Sequence, residues 1–470
     1  MMQKTKMIVT IGPSIKDKNK LKRLIKEGMN VARINFYHHS YDEIEKLVSS
    51  IRELDEELNT STAILGDIRD CKIRTNEFIN GSAFLKSGDE FSFLCGSEIL
   101  GDNTRCSITT SYLHENLHIG DKVYIENGLM SFKVTEIIGR EIKCTVIDGG
   151  IISAYKQLNI PNFKHPSSIY KRIENDIEFA CNISLDFISA SCVENGTDAL
   201  EYRDKILEYG NNKTKLMCEI ENSESVTNID SILDGCYGVI ISRGELGIDM
   251  PVERIPFIQK EIIKKCNIRN KVSIVSTQVL SSMAYFPRPT RAESSDVFNA
   301  ALDGADAIML TRTTSIGNYP LETLTTLRKI LCDSENHMNF AKYIKPFSNN
   351  ISDYDNLMAS SVAEISNKFP IKAIIIGTVD GRLPKYISKY RPKAPIIAVT
   401  NNKNVARSFG LEFGVTPFVY TDFESKKTFM EEARNLALNK GFAKKYDTIL
   451  VLTADKTFSW KSDTLEIVNI

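Results

Sequence analysis

Short β-branched runs alternate with amphipathic stretches from the first residues of this 470-residue chain, and that rhythm restricts the fold more than any other feature. Met7–Ile11, Asn30–Asn35 and Ala63–Asp67 read as strands, with helical stretches at Lys18–Lys26 and Tyr41–Leu54 between them. After Asp67 the rhythm stops. Residues 72–160 offer strand-like pieces (Phe91–Cys95, Lys122–Glu126, Phe132–Ile137, Glu141–Ile147) separated by Gly, Asp and Asn, which reads as an inserted β-domain. The alternation then resumes with Phe187–Ser191, Lys215–Ile220, Gly238–Ser242, Lys271–Ser276 and Ala307–Thr311. Three strands before the interruption and five after it make eight, and runs apolar on both faces suit strands buried inside a barrel.

The expected fold class is therefore α/β: a (β/α)₈ TIM barrel from residues 1–71 and 161–345, with residues 72–160 inserted. A charged and polar stretch near Ala341–Tyr354 leads into a second β/α block. Its strands are placed at Ala373–Gly377, Ile396–Val399, Pro417–Tyr420 and Thr448–Thr453, with helices Leu357–Phe369 and Lys426–Asn439 among them, so residues 346–470 are expected to form a doubly wound α/β domain.

Charge narrows the partners. With 59 Lys and Arg against 60 Asp and Glu there is no field to hold nucleic acid or an anionic membrane, and the ligand is expected to be small. The ten cysteines form no C-x-x-C pair, so zinc is not indicated. The start MMQKTKMIVTIG lacks a signal-peptide run, and no window of about 20 apolar residues appears, so a soluble, cytoplasmic protein is expected.

In such barrels chemistry sits at the carboxyl ends of the strands. Here these ends hold Arg33 and Asn35, Asp67, Ser191, Glu219 and Glu221, Arg243-Gly244-Glu245, Thr277-Gln278 and Thr311-Arg312. Glu221 and Glu245 on adjacent strands can give oxygen ligands to Mg²⁺, although each can equally pair with a rim arginine. Arg33, Arg74 and Arg243 suit a phosphorylated or carboxylated substrate, whose oxygens a guanidinium grips in pairs. His38-His39 is a weaker signal. No Walker A loop, dinucleotide glycine motif, H-E-x-x-H or nucleophile elbow is visible, which leaves metal-assisted oxyanion chemistry.

Seven segments, TKMIVTIGPS, GMNVARINF, EIENSESV, SRGELGIDMPVERI, STQVLSSM, FPRPTRAESSDVFNAALDGADAIML and GNYPLE, together resemble the pyruvate kinase family, in register from Lys4 to about Leu321 and more faintly beyond. The resemblance implies that the insertion is a β-barrel lid. It also implies phosphoryl transfer between phosphoenolpyruvate and ADP with Mg²⁺ or Mn²⁺, and a homo-oligomer, commonly a tetramer, with contacts near Pro287–Glu293. By the same resemblance Arg33 holds phosphate, Gly244, Glu245 and Thr277 the substrate, Glu221 and Glu245 the divalent metal, and Asn35, His38, Arg74 and Lys156 the nucleotide. Asn35, Asp67 and Lys72 mark the monovalent-cation site. Lys72 matches members that need no such ion, while Tyr37 and Ile68 replace two of its oxygen ligands.

The central departure is Glu219, which stands where the family's S-K-I-E-N pattern has its catalytic lysine. Beside two metal-binding carboxylates this turns an attraction into a repulsion of about 4 kcal/mol per pair at about 4 Å and an effective dielectric near 20. Three outcomes stay open. Phosphoryl transfer is weakened, with Arg312 as one conceivable substitute charge; or Glu219 serves enolate chemistry on a pyruvate-like acid; or the chain is a catalytically silent regulatory paralogue. The C-terminal block resembles the family's effector-binding domain, which implies a sugar-phosphate loop at Thr378–Pro384; the negative charge of Asp380 and the missing amide donor of Pro384 argue against such control here.

Overall fold

Eight short apolar strands that bury both faces have one economical solution, closure into a barrel wrapped by helices, and the computed structural model shows it. It describes residues 3–69, 73–125, 128–161, 170–210, 213–343, 354–420, 426–453 and 464–470. Strands β1 (Lys6–Ile11), β2 (Val31–Asn35) and β3 (Ala63–Asp67) precede the insertion. The insertion carries β4 (Ile73–Arg74), β5 (Ser82–Leu85), β6 (Glu90–Cys95), β7 (Arg105–Ile108), β8 (Lys122–Ile125), β9 (Met130–Ile138), β10 (Glu141–Asp148), β11 (Gly150–Ser153) and β12 (Gln157–Leu158). The barrel is completed by β13 (Phe187–Ala190), β14 (Lys215–Ile220), β15 (Gly238–Ser242), β16 (Val272–Ser276) and β17 (Ala307–Leu310). All neighbours are parallel, and β1 closes the ring by pairing with both β2 and β17.

Alternation along each strand sorts the side chains into two cores. Ile8, Val31, Leu65, Phe187, Met217, Ile240, Ile274 and Met309 fill the barrel interior, while Val9, Ile34, Ile64, Cys218, Ile220, Val239 and Val275 face the helices. The lid has a core of its own, drawn from Ile73 to Leu158 and centred on Phe91, Phe93 and Phe132. Among the described residues its strands form a five-stranded sheet, β7-β6-β10-β9-β8, and two small sheets, β11-β5 and β12-β4; backbone bonds between Thr109 and Arg74 and between Tyr124 and Asn159 join the β12-β4 pair to both edges of the five-stranded sheet.

The C-terminal sheet runs β20 (Val415–Val419), β19 (Ile396–Thr400), β18 (Ile371–Gly377), β21 (Thr448–Thr453) and β22 (Thr464–Asn469). Four strands are parallel, as expected; β22 adds an antiparallel edge that the pattern did not reveal. Helix Tyr354–Lys368 covers one face and helix Lys426–Asn439 the other. Leu411 of this block reaches into the barrel-interior core and stops its amino-terminal end, which leaves the carboxyl end as the mouth. No helix among the described residues is long and apolar enough to cross a membrane.

Candidate active site

The inward positions that continue past the apolar core toward the mouth are polar. On β2 the series Val31, Arg33, Asn35 leaves the core, and on β3 the series Ala63, Leu65, Asp67 does the same. Arg33 donates from Nη2 to Asp67 Oδ2 at 2.5 Å and from Nη1 to Thr10 Oγ1 at 3.1 Å. Asn35 Nδ2 adds a second donor to the same oxygen at 2.9 Å, and Ser189 Oγ reaches Asp67 Oδ1 at 2.9 Å. Asp67 is thus gripped by three side chains from the two strands that flank it, and this fixes Arg33, whose buried Nε makes no hydrogen bond within the protein. Register explains the grouping: Thr10 lies beside Arg33, and Asp67 beside both Asn35 and Ser189. Sequence reading did not single out Thr10 or Ser189, although the inward alternation of β1 and β13 marks both.

Glu219 follows Met217 on the inward face of β14, between the outward Cys218 and Ile220. It is 7% exposed and accepts a hydrogen bond from Ser191 Oγ at 2.9 Å. Two residues on, Glu221 is equally buried and accepts from the Cys192 amide at 2.7 Å. Glu245 sits half-buried in the first turn of helix Arg243–Asp249, directly after the neighbouring strand β15. Among the described residues no three Asp, Glu, His or Cys side chains gather at ligating distance. The donor set of Glu221 and Glu245 still fits a hard divalent ion, since Mg²⁺ keeps several waters and takes only one or two carboxylates.

The turn after β16 is under backbone strain. Thr277 and Gln278 have φ of 61° and 54°, rare for residues with a Cβ and most of all for a β-branched one. The Gly244 amide donates to Thr277 Oγ1 at 2.7 Å, which ties the two expected substrate contacts to each other. Arg243 braces the same turn by donating to the carbonyl oxygens of Ser276 at 3.3 Å and Thr277 at 2.9 Å, while Asp296 at 2.6 Å and Gln259 at 3.3 Å hold its other end. Arg243 was expected to face a substrate oxyanion. Its Nε, Nη1 and Nη2 donate instead to these protein acceptors, on the β16 turn and on the two helices Ile255–Ile268 and Arg291–Asp303. Arg312 is likewise turned away, on the exposed rim, where it donates to Tyr285 Oη at 2.6 Å.

The lid root brings Arg74 and Lys156 to the mouth beside His38. Arg74 stacks on Tyr37, 4.2 Å from the ring centroid, and His38 stands edge-on to Tyr155. His38 keeps an open edge, yet burial of the rest and the positive Arg74, His39, Arg33 and Lys156 hold its pKa down at about 4. His39 turns inward, its Nδ1 3.0 Å from the Asn35 carbonyl oxygen. Ile68 is packed at 2% exposure, so it adds no oxygen to the Asn35–Asp67 pair. Lys72 lies outside the described residues.

Residues 2–324 match the family model of the pyruvate kinase barrel domain, and residues 356–468 match that of the pyruvate kinase alpha/beta domain. The chain belongs to the pyruvate kinase family. It is 41% identical to the pyruvate kinase of Clostridium perfringens strain 13 over 455 residues, covering 96% of both proteins. Clostridium acetobutylicum pyruvate kinase is 36% identical at the same coverage, and the Bacillus licheniformis one is 37% identical, with 77% of its length covered. Against that pyruvate kinase background the acidic residue at 219 stands inside the mouth, near the end of β14 and two residues before Glu221.

Proposed function

We propose that this protein binds a phosphoenolpyruvate- or pyruvate-like oxyacid at the barrel mouth and carries out ADP-linked phosphoryl transfer weakly. The observation that carries the reading is Glu219: an inward, buried carboxylate, oriented by Ser191, in place of an ammonium. Glu221 and Glu245 would hold Mg²⁺ or Mn²⁺, which supplies positive charge to the substrate oxygens. Arg33, held by Asp67 and Thr10 with its Nε uncommitted, grips the phosphate; Gly244 and Thr277 face the carboxylate and enolate end. Arg74, Lys156 and the neutral His38 line the nucleotide side.

Phosphoryl transfer relies on positioning and on neutralising charge that spreads over the moving group. A carboxylate at 219 opposes both. Even half of an interaction near 4 kcal/mol slows the step by well over tenfold. No monovalent cation is needed, because Asp67 already accepts from Arg33, Asn35 and Ser189 and Ile68 offers no oxygen. Assembly is proposed to be homo-oligomeric through the face around Pro287–Glu293.

A coupled assay with phosphoenolpyruvate, ADP and Mg²⁺ tests this. Glu219→Lys should raise turnover at least tenfold over the wild type; brisk wild-type turnover, unchanged or lowered in Glu219→Lys, refutes the charge argument. The hydroxyl-oriented carboxylate also favours a second reading, enolisation of pyruvate with Glu219 as base. That reading requires solvent deuterium to enter the methyl group and the incorporation to vanish in Glu219→Gln.

A further inference from the structure

The lid joins the barrel through a slender root. Strands β4 and β12 pair at two positions, Arg74 with Gln157 and Ile73 with Leu158, and Thr75 continues the contact to Tyr155 and Lys156, so this ladder ties the two root strands to each other and sets no angle to the barrel. One ring lies where the pieces meet. Tyr37, in the loop after β2, has the Arg74 guanidinium of the outgoing root at 4.2 Å from its centroid and the Arg172 guanidinium at 5.6 Å. Arg172 belongs to helix Tyr170–Asn182, the first described element after the lid returns, and its Nη2 donates to Tyr37 Oη at 3.1 Å. The Tyr37 amide donates to Asn35 Oδ1 at 2.8 Å, which ties the loop to the Asp67 network. Beside it His38 meets Tyr155 at 6.3 Å and 83°, and Tyr155 accepts a long 3.5 Å bond from Arg74 Nη1 at its carbonyl oxygen.

Two guanidiniums repel each other unless something of opposite polarity stands near both, and the electron-rich face and oxygen of one phenol do that here. We propose that Tyr37 and Arg172 are positioning residues that clasp both roots of the lid to the barrel rim and thereby fix Arg74, Lys156 and His38 over the mouth. The consequence for nucleotide rests on the roles proposed above for those three side chains; the clasp itself does not.

The test uses the full-length protein and the variants Tyr37→Ser, Tyr37→Phe and Arg172→Gln, with two readouts. Amide hydrogen exchange across residues 73–75 and 155–158 should quicken about tenfold in Tyr37→Ser, and less in Tyr37→Phe, which keeps the ring but loses the Arg172 bond, with β16 unchanged as the internal control. Calorimetric titration with Mg²⁺ and ADP should show affinity weakened about fivefold in Tyr37→Ser and less in Tyr37→Phe. Root exchange unchanged in all three variants overturns the clasp. A loosened root with unaltered ADP affinity upholds the clasp and overturns the nucleotide role of Arg74, Lys156 and His38. Should Tyr37→Ser fail to fold, the two milder variants decide the matter by the same criteria.

Discussion

His38 stands among Arg74, His39, Arg33 and Lys156, and partial burial together with that crowd holds its pKa near 4. A proton there is disfavoured in the fold and allowed in the unfolded chain, so its contribution to stability is lost as pH falls from about 6.5 toward 4. Above that window the imidazole is neutral and adds no charge to the mouth. Histidine-selective NMR should show its ring carbon fixed at the neutral position from pH 5.5 to 8.5, whereas a midpoint near 6.5 would mean that the positive groups do not face it. Residues of this kind were legible where alternation and strand ends coincide, as for Arg33, Asp67 and Glu219. Arg243 was misread because its partners, Asp296 and Gln259, come from other helices and no local pattern announces them. The strain at Thr277 leaves no trace in composition, since neither Thr nor Gln signals a positive φ.

At the scale of elements, the barrel depends on close strand packing that only a missing side chain allows. A Cβ on Gly238 of β15 would lie 2.4 Å from the Val272 carbonyl oxygen, 2.7 Å from Val272 Cβ and 2.8 Å from Met217 Cε. The first of these contacts is backbone of the neighbouring strand and cannot rotate away. Gly238→Ala should cost about 3 kcal/mol in urea denaturation. Gly247, in helix Arg243–Asp249, meets nothing within 4 Å, so Gly247→Ala should be neutral or stabilising by up to about 1 kcal/mol. Equal losses in both would mean that the strand contact is not what matters. Long apolar strands declared themselves in this way through their burial pattern, and all eight barrel strands fell where the rhythm put them, to within one residue at either end. The two-residue β4 and β12 are too short for any period to emerge. The edge strand β22 breaks the expected alternation because the apolar Ile467 stands 63% exposed beside the buried Val468.

At the scale of the whole molecule, the block that stops the barrel base also buries cations there. Lys6 of β1 donates to the Val415 carbonyl oxygen at 2.5 Å, and Lys385 lies 3.8 Å from Glu412, which accepts a hydrogen bond from Tyr237. The Tyr237 ring has Lys385 at 3.4 Å and Lys215 at 4.2 Å from its centroid. Arg391, 1% exposed, pairs with Asp306 at 2.7 Å and seals the same junction. None of this was visible in the sequence, where these lysines look like ordinary strand and helix termini; burial arises only when the two blocks meet. It also has a measurable cost, since burial lowers the pKa of Lys6 to about 8 despite Glu412 and Glu335, and that of Lys215 to about 8, where Lys385 reinforces the effect and Glu412 and Asp186 oppose it. A lysine whose pKa is lowered in the fold keeps its proton more readily when unfolded. Between about pH 8 and 10.5 the unfolded chain therefore holds more protons, and stability rises with pH, by on the order of 1 kcal/mol per pH unit for each group. Below pH 8 both lysines are charged in either state and the penalty is constant. Calorimetric melting at pH 7.5, 8.5 and 9.5 should show the wild type gaining on Lys6→Met by on the order of 1 kcal/mol per pH unit above pH 8, because the substitution removes this one buried group and leaves every other titration in place. Parallel curves for the two proteins would place the Lys6 ammonium in water and dissolve the buried junction as described.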